Sequence, residues 1–120
     1  MAECYGKFYY NNLWCSNCKR AASLCAEICL DRWLGRHQVR IWLFENGVYL
    51  AKKDQKPAQG LTNYGQLLED LVKGDVEVKA CVVCAEARGL KQVDLIEGVK
   101  LATIHELVEW TTSSDKVITF

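Results

Sequence analysis

Residues 76–83 read Val-Glu-Val-Lys-Ala-Cys-Val-Val, alternating at first and then continuously apolar. A strand with this pattern can be buried only in a sheet covered on both faces. The polar stretch that follows, Ala85-Glu86-Ala87-Arg88-Gly89, is compatible with a helical turn, so Cys81 and Cys84 fall where a strand hands over to a helix. In α/β folds that carboxyl edge is where chemistry collects. A helix starting near Val83 or Cys84 would aim unpaired amides and its dipole at the sulfur atoms, favouring thiolate over thiol. Arg88, about a turn further on, is a candidate source of additional positive charge. The competing reading makes both cysteines small buried hydrophobes, as free cysteines commonly are.

The rest of the chain alternates the same two patterns. The aromatic-rich residues 7–13 read as a strand. A helix capped by Ser16 or Asn17 follows, with Ala21, Leu24, Cys25 and Ile28 on one row and Ala22, Ala26, Cys29 and Trp33 on the next. A helix so apolar around its circumference is expected to cover the sheet and to meet another subunit. Gly35 closes it, and residues 39–44 form a second strand. Residues 45–60, with Gly47, Pro57 and Gly60, read as a long loop. Tyr64, Leu67, Leu68, Leu71 and Val72 make a helical stripe ended by Gly74. After the strand that carries the thiols, residues 98–102 suit a short strand. Thr103 and Glu106 frame a capping box for a helix with Ile104, Leu107, Val108 and Thr111, and residues 117–120 suit a last strand. The order βαβαβαβαβ predicts one domain, residues 1–120, with a mainly parallel five-stranded sheet and helices on both faces.

Composition narrows the function classes. Fifteen basic residues balance fifteen acidic ones, which argues against a nucleic-acid surface. The first residues lack the basic start and apolar run of a signal peptide, and no run of 18 apolar residues is present, so the expectation is a cytoplasmic protein with no membrane segment. Seven cysteines in a reducing compartment point to reactive thiols or metal ligands rather than disulfides. No Gly-x-Gly-x-x-Gly loop follows a strand, so no flavin or nucleotide is expected.

Three motifs are shared, in order, with a known family. Cys81 followed by Arg88-Gly89, Glu45-Asn46-Gly47-Val48-Tyr49 after the second strand, and Asp115-Lys116-Val117-Ile118-Thr119-Phe120 together resemble the DsrE/DsrF family with its TusD-like sulfur-relay members. The resemblance implies a three-layer α/β/α flavodoxin-like domain. It also implies assembly into a homo-oligomer (trimer or hexamer) or a hetero-oligomer with paralogous subunits, and sulfane sulfur carried as a cysteine persulfide. The position that matches the sulfur-accepting cysteine is Cys81, with sulfur-donor and sulfur-acceptor proteins as partners. Cys84 stands where TusD-like members commonly carry a small apolar residue, and is expected to resolve or tune Cys81. The candidate site is therefore Cys81, Cys84 and Arg88, and the protein is a sulfurtransferase if persulfide transfer counts as catalysis. No cofactor is required.

Two other readings remain open. Cys15 and Cys18, in Trp14-Cys15-Ser16-Asn17-Cys18-Lys19, look locally like a thioredoxin pair and with Cys81/Cys84 suggest a thiol-disulfide redox protein. That fold sets a cis-proline against its Cys-x-x-Cys, and the single proline here, Pro57, precedes no strand. Cys15, Cys18, Cys81 and Cys84 could instead hold zinc or an iron–sulfur cluster in a binding module. More than sixty positions separate the two pairs, far beyond ribbon-type spacing. Cys25 and Cys29 suit core packing, His37 and His105 suit solvent, and Trp42 and Trp110 suit the core.

Overall fold

The computed structural model describes residues 38–115 and residue 117. Within them, three strands form one parallel sheet: β1 (Arg40–Leu43), β2 (Glu77–Cys81) and β3 (Lys100–Ala102), in the order β1-β2-β3. Of the five strands expected, the first falls on residues outside this range, and of the last, residues 117–120, only residue 117 is described. The sheet among the described residues therefore has three strands, mixed with helices in the α/β manner expected.

Register follows from burial. Ile41 pairs with Val78 and Leu43 with Ala80 on one face, and Trp42 pairs with Lys79 on the other. Ile41, Trp42 and Leu43 are all buried, so β1 is covered on both sides, the condition that allows a parallel sheet its continuous apolar runs. A one-residue slip would exchange Trp42 for Ile41 and Leu43 across the sheet, which fixes the pairing.

Helix α1 (Tyr64–Lys73) links β1 to β2 and buries Leu68 and Leu71. Asn63 caps it, its side-chain oxygen accepting from the Gln66 amide at 3.1 Å. Gly74 ends it as the C-cap, as expected, and the left-handed residue that follows is Asp75 (φ 66°). The Asp75 amide donates to the Val72 carbonyl and that of Val76 to the Leu71 carbonyl, a Schellman pattern that turns the chain into β2. Asp tolerates this conformation better than most residues.

Two expectations about boundaries change. Val82 and Val83, read as the end of the strand, begin α2 (Val82–Ala87); β2 stops at Cys81. Apolar character does not separate the last strand residues from the first helical ones, since both can face a core. Residues 45–51 are a 3-10 helix (Glu45–Ala51) rather than loop. It buries Gly47, Val48 and Ala51, and the Gln55 side-chain amide donates to the carbonyls of Tyr49, Leu50 and Lys52 beyond its end. Gln55 lies across Gly65 so closely that a Cβ there would sit 2.9 Å from it. A second 3-10 turn (Gln92–Asp94) precedes β3, and α3 (Ile104–Thr112) follows it.

The α3 helix lies over the sheet face that carries Trp42. Trp110 meets Trp42 edge-on, with centroids 5.9 Å apart, and both rings are buried as expected. The Arg40 guanidinium stands 5.4 Å and the Lys79 ammonium 4.6 Å from the Trp110 centroid. Lys79 is also paired with Glu106 at 2.6 Å, and Arg40 with Glu77 at 3.3 Å. Cations on a covered sheet face are thus matched by carboxylates and an indole. The Trp42 Nε1 is the one buried side-chain polar atom without a hydrogen-bond partner among the described residues.

Candidate functional site

The β2 strand is central and ends at Cys81, which is also the N-cap residue of α2 (φ −59°, ψ 120°). Cys84 follows at the third helical position, a spacing that brings N-cap and N3 side chains together. Both thiols are free and buried, with 7 % and 6 % of their surfaces exposed. Cys81 makes no side-chain bond to the amides of α2, so the expected capping of its sulfur by the helix amides is absent.

The Cys84 thiol is pushed up to about 11. Burial is the largest cause, followed by the bond to Cys81, which favours protonated Cys84 as donor; the Glu45 carboxylate adds to the effect. Working against these, the nearby Glu45 main-chain amide favours the thiolate. Glu45 itself has φ 50°, the left-handed region that side chains other than Gly enter at a cost of about 1 kcal/mol or more.

Arg88 secures the arrangement. Its Nη2 donates to Glu45 Oε2 at 2.9 Å, its Nε to Asn46 Oδ1 at 2.9 Å, and its Nη1 to the Cys84 carbonyl at 3.0 Å. The cation was expected as a source of charge for the thiols; its three hydrogen bonds instead tie the start of the 3-10 helix to α2. Gly89 makes this possible. With φ 71° it closes α2, the Leu90 amide donating to Ala85 and its own to Glu86, so that Arg88 turns back over the helix it ends. The Arg-Gly pair therefore has a mechanical meaning: one residue grips Glu45 and the next frees the chain to let it.

Cys15 and Cys18 lie outside the described residues, as do Cys4, Cys25, Cys29 and His37. Among the described residues no three His, Cys, Asp or Glu side chains gather into a metal site. His105 is exposed on α3. No helix among the described residues is long and apolar enough to cross a membrane. Sequence reasoning passed over Glu45 and Asn46 as site residues, although both stood inside a family motif. A cavity of about 270 Å³ lies elsewhere, between Lys52, Gln55, Gly65, Gln66 and Glu97, away from the thiols.

The model of the DsrE/DsrF-like family matches residues 7–120, the whole length that carries these features. The chain belongs to the DsrE/DsrF-like family. It is 51 % identical over 102 residues to the protein MJ0989 of Methanocaldococcus jannaschii, spanning 85 % of this chain and 89 % of that one. To YchN of Escherichia coli strain K12 it is 39 % identical over 98 residues, 82 % of this chain and 83 % of that protein. The crystal structure of YchN from E. coli superposes with a TM-score of 0.81, at 30 % identity and full coverage of both chains. MTH1491 from Methanobacterium thermoautotrophicum, at 19 % identity, shares the fold with a TM-score of 0.69, covering 98 % of this chain and 99 % of its own.

Proposed function

We propose that this member of the DsrE/DsrF-like family is a sulfur-relay protein that stores sulfane sulfur as a persulfide on Cys81 and passes it to a protein thiol. The observation that carries the reading is the placement of Cys81 at the carboxyl end of the central strand and at the N-cap of α2, with a second thiol, Cys84, at the third position of that helix. When an acceptor thiolate attacks the outer sulfur of a Cys81 persulfide, the S–S bond breaks and the Cys81 sulfur takes the electron pair. A hydrogen-bond donor beside that sulfur stabilises the departing anion, and the Cys84 thiol, on the helix that Cys81 caps, can supply one. Residual exposure of 7 % restricts attack to the outer atom, which projects further than Cys81 itself.

Mass spectrometry after treatment with glutathione persulfide tests the proposal. The full chain gains the mass of one sulfur atom and Cys81→Ser does not; an equal gain in Cys81→Ser removes the assignment. Two buried thiols at the N-cap and third position of one helix also favour a second reading, a reversible Cys81/Cys84 dithiol couple. Under that reading the treated protein holds an internal disulfide and no additional sulfur.

A further inference from the structure

We propose that the cavity between the exit of the 3-10 helix and α1 is a binding site for a small zwitterion, a free amino acid or a dipeptide, whose carboxylate meets Lys52 and Lys53 and whose ammonium meets Asp54 and Glu97. The site is separate from the thiols and independent of the sulfur-carrier reading. Its volume, about 270 Å³, falls just below the roughly 300–1,000 Å³ of pockets that hold drug-sized molecules. Those pockets are mainly apolar. Here, among the described residues, Ile96 is the one apolar side chain on a wall otherwise made of charged and amide side chains and Gly65, so the cavity suits a small polar occupant.

The charges are those the fold leaves unspent. Glu69, on the same wall, is paired with Lys73 at 3.0 Å, the Gln66 side chain donates to Asp70, and the Asn63 side chain is taken by its capping bond. Lys52, Lys53, Asp54 and Glu97 join no salt bridge among the described residues, although both signs border one cavity. Backbone pairing sets their places. Lys52 bridges antiparallel to Leu95, the Lys53 amide donates to the Asp94 carbonyl at 2.9 Å, and the Ile96 amide donates to the Ala51 carbonyl at 2.8 Å. Asp54, in the left-handed region at φ 59°, turns the chain at one end of this pairing, and Glu97 directly follows it at the other. Gln55 closes the wall, its amide nitrogen bound to three carbonyls and its side chain packed on a glycine that has no room for a Cβ. Unpaired charges of both signs on a fixed frame favour a ligand that brings both complements, because each of its ends then satisfies a group otherwise left to water. The four charged side chains are exposed, so each contributes modestly and the binding is weak.

The experiment titrates glycylglycine into the isotope-labelled full chain at neutral pH and low salt and follows amide shifts by NMR. The amides of Lys53, Gln55, Gly65 and Glu97 move together and saturate, with half-saturation at about 1–10 mM, the range that a few exposed charge pairs supply. N-acetylglycylglycine and glycylglycinamide, which each keep one of the two charges, bind about fivefold more weakly. Replacing both cations (Lys52→Ala with Lys53→Ala) removes the preference for glycylglycine over glycylglycinamide and keeps the preference over the N-acetyl compound. Replacing both carboxylates (Asp54→Asn with Glu97→Gln) does the reverse. A general loosening of the fold would not produce that crossed pattern. Absence of a saturable shift at these amides with ligand in the tens of millimolar overturns the proposal, as does equal affinity of the wild-type protein for the three compounds. Unchanged selectivity in the two double variants overturns it as well.

Discussion

Around Trp110 the cations of the sheet meet carboxylates and an indole face, whereas at the rim Arg88 gives its donors to a carboxylate, an amide oxygen and a carbonyl. In the first cluster Arg40 and Lys79 flank one ring, each with its own glutamate, and the arrangement resembles a packed core with charged edges. At the rim the same kind of pairing lies beside two buried free thiols. Matched charge thus fastens α3 to the sheet in one place, and in the other fastens the 3-10 helix to α2.

Removing the indole should produce the largest effect. Trp110→Ala takes away a buried ring and its partners, and should cost about 3–5 kcal/mol in denaturant unfolding. A change below 1 kcal/mol would show that the aromatic cluster is not the mechanical anchor that sets it apart from the rim. Arg88→Met probes the other side. Losing three hydrogen bonds should cost about 2 kcal/mol and, because the rim is unfastened, should speed iodoacetamide modification of Cys84. An unchanged alkylation rate in that variant would mean that Arg88 contributes stability alone.

Titration separates the regions further. The folded-state value of Cys84 is raised from 9.0 to about 11, so the group contributes stability that is whole below pH 9 and is lost as pH rises toward 11. The loss should reach about 1 kcal/mol by pH 10 and be missing from Cys84→Ala. Glu106 behaves in the opposite sense. Its bond to Lys79, then the Thr103 amide, hold its carboxyl below the usual 4.5, so its contribution is present above that pH and lost as pH falls through the lowered value. With 40 % of its side chain exposed, the effect should stay under about 1 kcal/mol, read as a flatter acid limb in Glu106→Gln.

Much of this could be read from residue order. The strand that carries Cys81, the α1 stripe, Thr103 ahead of α3 and the two core tryptophans all follow from periodicity and capping chemistry, because each is decided by which side chains face the core. The rim was legible only in part. Cys81 and Cys84 announce themselves by type and place, but the direction of Arg88 depends on a partner 43 positions away, and local pattern holds nothing of that. Glu45 is harder still. A reader looking for a left-handed residue turns to Gly47, and tertiary bonding instead places that conformation on Glu45. The 3-10 helix was hidden for a related reason, since its end is held by Gln55, a side chain beyond it.

The Arg88–Glu45 bridge joins segments that meet only when β1 and β2 have paired. Contacts of such long sequence separation form after the intervening chain has closed, so during synthesis and refolding Cys81 and Cys84 are two ordinary thiols on a short peptide. Their distinct environment therefore exists only with β1 and β2 paired. Thiol reactivity thereby reports whether this chain holds its native topology.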